Sequence, residues 1–211
     1  MDRKTRKNIL IIVSIHLLIA LIVIGIVNAK KDIVKTKNDT DAGRYIQMSM
    51  KRWNELVYSD LFRQAMGDYN WDTGEWKPLT DKMYAFDAEV FDVENMYTLC
   101  LQGIQAIVRD IEVTDVTEDL SGMTEEMTSV NYPYEPMTDG VRSVSFKCNG
   151  HEYSVTMTSY GDWINAEFFD FMNQVLEKEN CPKRLWLLGD GLDQMAAVIY
   201  DSSDNARKYA N

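Results

Sequence analysis

Cys148 and His151 are the one nearby nucleophile–base pair in the chain. They flank Asn149-Gly150, a strong short hairpin signal, and a two-residue turn would set the thiol opposite the imidazole on one sheet face. A thiolate activated by an imidazole is the chemistry of Cys–His hydrolysis. That chemistry also needs a group to orient the imidazole and donors for an oxyanion, and the sequence marks neither. Two half-buried residues at the tip of an apolar face are the plainer reading. Cys181 and an acid would complete a zinc set with Cys148 and His151 by residue type. Their spacing matches no recurring metal motif. The expectation is therefore no catalytic residue, no metal and no cofactor, with Cys148 and His151 held as candidates for a hydrolase.

The acidic motifs point to turns. Asp72-Thr73-Gly74 has the tripeptide of aspartic proteases, but Asn70 and Trp71 precede it in place of an apolar strand, and no second copy exists. Asp190-Gly191-Leu192-Asp193 lacks the alternating oxygen ligands and distal Glu of a calcium loop. With 33 acids in the chain, paired carboxylates arise by chance and single out no glycosidase-like site. No phosphate-cradling glycine loop and no serine-nucleophile elbow is present. Exposed aromatics are the remaining binding candidates. Trp71 and Trp76 bracket one turn, and Tyr132 and Tyr134 stand in the stiffened segment Tyr132-Pro133-Tyr134-Glu135-Pro136. Either set also reads as aromatics that clamp a turn or pin a loop to its own domain.

What would position these residues begins at a membrane. Ile9–Val27 is apolar except for Ser14 and His16 and holds no acid, Lys, Arg or Pro. As a helix the run is roughly 28 Å long, close to the ~30 Å hydrocarbon core of a bilayer. Arg3, Lys4, Arg6 and Lys7 precede it. The apolar stretch exceeds the roughly 7–15 residues of a cleaved signal, so a retained anchor is expected. The alternative is secretion after cleavage following Ala29. Lys30, Lys31, Lys35 and Lys37 follow the run and nearly balance the basic residues before it. The short charged start then favours a cytoplasmic tail. The expected organisation is a basic cytoplasmic tail over 1–8, a single-pass signal-anchor over 9–28, a stalk over 29–40 and an extracytoplasmic domain over 41–211. Type IV pilins have a comparable apolar start, but their Gly–Phe processing site and early Glu are missing here.

The chain carries a net charge of −11. Setting aside Asp2 and the four basic residues of the first 29 positions leaves 18 bases against 32 acids, or −14. That balance excludes nucleic acid as the main partner and suits a protein partner, a basic one included. Cys100, Cys148 and Cys181 are odd in number, so no complete disulfide framework exists. The expectation is three buried thiols, with a Cys148–Cys181 pair as the alternative.

The elements follow from periodicity. Apolar positions from Ala42 to Val57 predict a helix over 41–66, broken near Ser59-Asp60, where Ser59 could cap a second piece. Residues 69–76 form a turn. Alternation over 83–90 predicts a strand. Asp92 is expected to cap a helix with Val93, Tyr97, Cys100, Leu101, Ile104 and Val108 on its buried stripe. Residues 111–116 make a second strand, and 117–140 a long acidic loop. The hairpin pairs 148 with 151, 146 with 153, 144 with 155 and 142 with 157. That register separates apolar from polar side chains and sets Lys147 against Glu152. A helix over 162–178 capped by Asp162, strands over 185–188 and 195–200, and a short helix capped by Asp201 or Ser202 complete the order. The fold class is α+β: one largely antiparallel sheet of about six strands with helices on one face. Function is expected to be that of a binding or assembly module facing a protein or the cell envelope. The alternative is an envelope hydrolase using carboxylates or Cys148 with His151.

Overall fold

The Asn149-Gly150 hairpin forms in the expected register, from Cys148 opposite His151 out to Gly140 opposite Ser159. Both turn residues have positive φ, 50° and 83°, the left-handed pair that a two-residue turn of this hand demands. This is a computed structural model, and it describes residues 44–210 apart from 71, 74, 91 and 124–139. The expected anchor over 9–28, the stalk and most of the acidic loop lie outside these residues. Among the described residues no helix is long and apolar enough to cross a membrane.

The strands are β1 Tyr45–Gln47, β2 Asp68–Asn70, β3 Glu75–Lys77, β4 Tyr84–Asp87, β5 Val113–Asp119, β6 Gly140–Cys148, β7 His151–Ser159, β8 Arg184–Gly189 and β9 Met195–Asp201. The helices are α1 Met50–Val57, α2 Asp60–Ala65, α3 Met96–Ile107, α4 Glu167–Lys178 and α5 Ser203–Ala206. The class is α+β, but the strands form three sheets and not one. A four-stranded sheet runs β1-β8-β9-β4, a three-stranded sheet β5-β6-β7, and β2 pairs with β3 alone. β1 lies parallel to β8, and every other pairing among the described residues is antiparallel.

Helices cover both faces of the four-stranded sheet, which corrects the one-face expectation. Tyr84, Phe86, Leu185 and Val198 enter a core with α3 and α4, while Ala85, Leu188, Ala197 and Ile199 enter a second core with α1, α2 and Ala206. Alternate residues of one strand face opposite ways. Because both sets are apolar here, the sheet needs a cover on each side. α4 belongs to the first core and reaches both larger sheets. Phe169 stacks on Phe86 at 5.6 Å, and Phe171 meets Phe146 edge-on at 6.1 Å.

The helix forecast over 41–66 holds only in part. Tyr45–Gln47 is a strand, and α1 starts at Met50 behind its N-cap Ser49. Ser59 caps α2 by accepting from the Phe62 amide at 3.1 Å, as its position suggested. The whole expected stripe of α3 is buried. Asp92, however, accepts from the Asn95 amide at 3.1 Å one turn ahead of that helix, so it caps the approach to it. α4 starts at Glu167 and not at 162. Asn165, in place of Asp162, accepts from the Glu167 amide at 2.9 Å. β5 extends to Asp119 and so takes in the first residues that the sequence assigned to the acidic loop.

Candidate functional site

Cys148 and His151 are cross-strand partners, but their side chains part company. Cys148 is fully buried. Burial, with Glu179 and Cys181 adding to it, pushes its thiol up to about 12. A thiol held there stays protonated at neutral pH and is a poor nucleophile. The His151 side chain is 72% exposed, and its Nδ1 lies 2.9 Å from Glu179 Oε1. The imidazole therefore has a carboxylate as its partner, not a thiolate. Cys100 and Cys181 are buried and unbridged as well.

Glu179 is the centre of this cluster. It is the C-cap of α4, where the chain closes with Asn180 at φ 58°. The Asn180 amide donates to Glu177 O at 3.1 Å and the Cys181 amide to Leu176 O at 2.9 Å. These two bonds make a Schellman closure. It aims the Glu179 carboxylate at the hairpin tip, where Tyr153 donates its hydroxyl to Oε1 and Asn149 Nδ2 reaches Oε2 at 3.2 Å. Asn149 also accepts from the Glu112 amide at 2.8 Å. The cluster thus ties the residue just ahead of β5, the hairpin turn and the end of α4 together. The Tyr153 hydroxyl bond, followed by those of His151 and Asn149, holds the Glu179 carboxyl below its ordinary value of 4.5. Burial and the same bond push Tyr153 up to about 12.

A depressed carboxyl pKa contributes stability that is present above the unfolded value and lost as the pH falls through the folded one. Acid titration of unfolding should therefore show a loss of stability below pH 4.5 that Glu179→Gln removes. An unchanged acid limb in Glu179→Gln would show that the carboxylate adds nothing there.

A second polar cluster sits at the other end of the hairpin. Arg142 Nη1 meets Glu118 Oε2 at 3.0 Å, with the side chains 1% and 3% exposed. Glu118 Oε1 accepts from the Thr98 amide at 2.8 Å and the Thr98 hydroxyl at 2.9 Å. The guanidinium lies 5.5 Å over the Tyr97 ring. Its second terminal nitrogen reaches the Met123 sulfur at 3.6 Å, and its Nε has no hydrogen-bond partner among the described residues. Burial raises the Glu118 carboxyl more than Thr98 and Arg142 lower it.

Among the binding candidates, Trp76 is half-buried. Its Nε1 donates to Met66 O at 2.8 Å, and its ring meets Tyr84 edge-on at 5.6 Å. Trp71, Tyr132 and Tyr134 lie outside the described residues. Asp72 and Thr73 stand in the β2–β3 turn, their amides donating to Asn70 Oδ1 at 2.9 and 3.3 Å. Asp190 Oδ1 closes its own turn by accepting from the Leu192 and Asp193 amides at 2.8 and 2.9 Å. Among the described residues no group of three or more His, Cys, Asp or Glu side chains is placed to hold a metal ion.

Sequence reasoning missed Glu179 and Glu118. A trace of the first existed: an acid at the negative end of a helix opposes the dipole, which hints at a partner elsewhere. Glu118 was hidden by the bulge in β5, where the pairing shifts between Thr114 and Thr117 and breaks the alternation. No family model, no curated protein and no solved structure matches this chain.

Proposed function

We propose that this chain is a single-pass membrane protein, anchored by residues 9–28, that presents residues 41–211 outside the membrane as a non-catalytic binding or assembly module. The run Ile9–Val27 carries the reading. It is long enough to span a bilayer as a helix and is followed by a strongly acidic remainder. A net charge of −14 on that remainder suits a protein or envelope partner with basic surface. The burial of Cys148 and the pairing of His151 with Glu179 favour binding over hydrolysis, because they leave that thiol without an activated form.

The test is protease digestion of intact cells carrying the full chain with a C-terminal tag. Digestion of the tag without lysis is expected. A tag that survives until the membrane is opened would place the domain inside and overturn the orientation.

A further inference from the structure

Open strand edges invite pairing with other chains, and folded proteins blunt them with short strands, bulges or covering segments. Among the described residues every sheet edge but one is treated in this way. β1 has three residues and β4 four, and β2 and β3 have three each. β5 is bulged, with Asp115 at φ 53°. β7 is different: nine residues, no Pro, no Lys and an unbroken register against β6.

The turn geometry says which of its backbone groups are open. In a two-residue hairpin the flanking pair, Cys148 and His151, exchanges both hydrogen bonds, and such pairs recur at every second residue. The N–H and C=O groups of His151, Tyr153, Val155 and Met157 therefore point at β6. Those of Glu152, Ser154, Thr156 and Thr158 point away from it. The Thr158 carbonyl bears this phase out, accepting from Asn165 Nδ2 at 3.0 Å. Asn165 covers that end of the strand, and Glu152, Ser154 and Thr156 are the stretch whose outward backbone groups no described strand pairs with.

We infer that β7 pairs with β7 of a second copy, antiparallel about a twofold axis at Ser154. The register is self-complementary on both faces. On the outer face Ser154 meets Ser154, and Glu152 meets Thr156, so no like charges oppose each other. Centring the axis on Glu152 would set two carboxylates together. The outer face of the hairpin is already a hydroxyl ladder, Ser143 with Thr156 at 2.7 Å and Ser145 donating to Ser154 at 3.0 Å. Ser154 keeps its own proton for the next strand. On the inner face Tyr153 and Val155 are half-buried, and the same register lays Tyr153 of each copy against Val155 of the other. Aromatic against β-branched is a favourable cross-strand pair. Each of the three facing pairs exchanges two backbone hydrogen bonds. The two domains repel through their net charge, so association strengthens as salt screens it.

Self-pairing of β7 goes beyond the binding reading and needs neither the anchor nor an envelope partner, so tag digestion and dimerisation succeed or fail independently. The test uses the full chain with Ser154→Cys under mild oxidation. A hydrogen-bonded antiparallel pair holds its Cα atoms about 5.5 Å apart, within disulfide reach, and the native cysteines are buried. A covalent dimer is expected from Ser154→Cys and not from Ser143→Cys, which lies on the same face one strand further in. Light scattering should give twice the chain mass for the native protein and a single chain mass for Ser154→Lys, which sets two ammonium groups together at an exposed position. Equal cross-linking by both cysteine variants, a native mass of one chain, or a dimer that persists in Ser154→Lys would each overturn the pairing. Should Ser154→Lys not fold, the two cysteine variants decide.

Discussion

Glu118→Ala should lower the stability of the domain by about 3–5 kcal/mol, and Arg142→Ala by a similar amount. Each single change leaves one buried charge without its counter-ion in a site 1–3% exposed. Arg142 is poorly placed to recover. Among the described residues its Nε already lacks a partner, and its other acceptor there is the Met123 sulfur, a weak one. The double replacement Glu118→Leu with Arg142→Met should lose much less than the sum, because no isolated charge remains. The pH dependence points the same way. Burial lifts the folded Glu118 carboxyl above 4.5. A raised acid favours folding below its unfolded pKa, and that advantage is lost as the pH rises through the folded value. At neutral pH the ionised pair is therefore held by the fold around it more than it holds the fold. Urea unfolding of Glu118→Leu, Arg142→Met and their double, read as a double-mutant cycle, checks this beside the two alanine variants. Additive losses would show that the two charges do not depend on one another.

Trp53→Ala should cost about 3–5 kcal/mol through the cavity it leaves. Trp53 is fully buried, and its ring meets Phe62 edge-on at 5.7 Å. It anchors the core that α1 and α2 form on their face of the four-stranded sheet. Its Nε1 also donates to Asp193 Oδ2 at 3.3 Å, joining α1 to the β8–β9 turn. Trp53→Phe keeps most of the ring and loses the hydrogen bond, and Asp193 can turn to water. About 1–2 kcal/mol is expected for that variant. Far-UV circular dichroism during urea unfolding separates the two. Equal losses in both would assign the effect to the hydrogen bond and not to the packing.

How far these sites could be read in advance depended on how far each one reaches along the chain. The hairpin register and the Ser59 cap were legible because each is decided within a few residues by turn chemistry or side-chain alternation. The stripe of α3 was legible for a related reason: helical periodicity names which side chains avoid water without naming what covers them. Glu179 and Glu118 were not legible as sites. Glu179 meets His151 and Asn149 across about 30 positions, and Glu118 meets Arg142 across 24.

The sequence by itself determined the α+β class, the hairpin with its pairing, the buried face of α3, and an apolar run of membrane-spanning length. Only the tertiary structure decided that the strands divide into three sheets, that β1 pairs in parallel with β8 from more than 140 residues away, and that one sheet is covered on both faces. It also decided that His151 turns to Glu179 while Cys148 turns to the core. The physical reason is that burial is a property of a residue and can be patterned locally. Pairing is a property of two residues, and chain entropy lets a strand find its partner at almost any separation once the cores on either side make the choice.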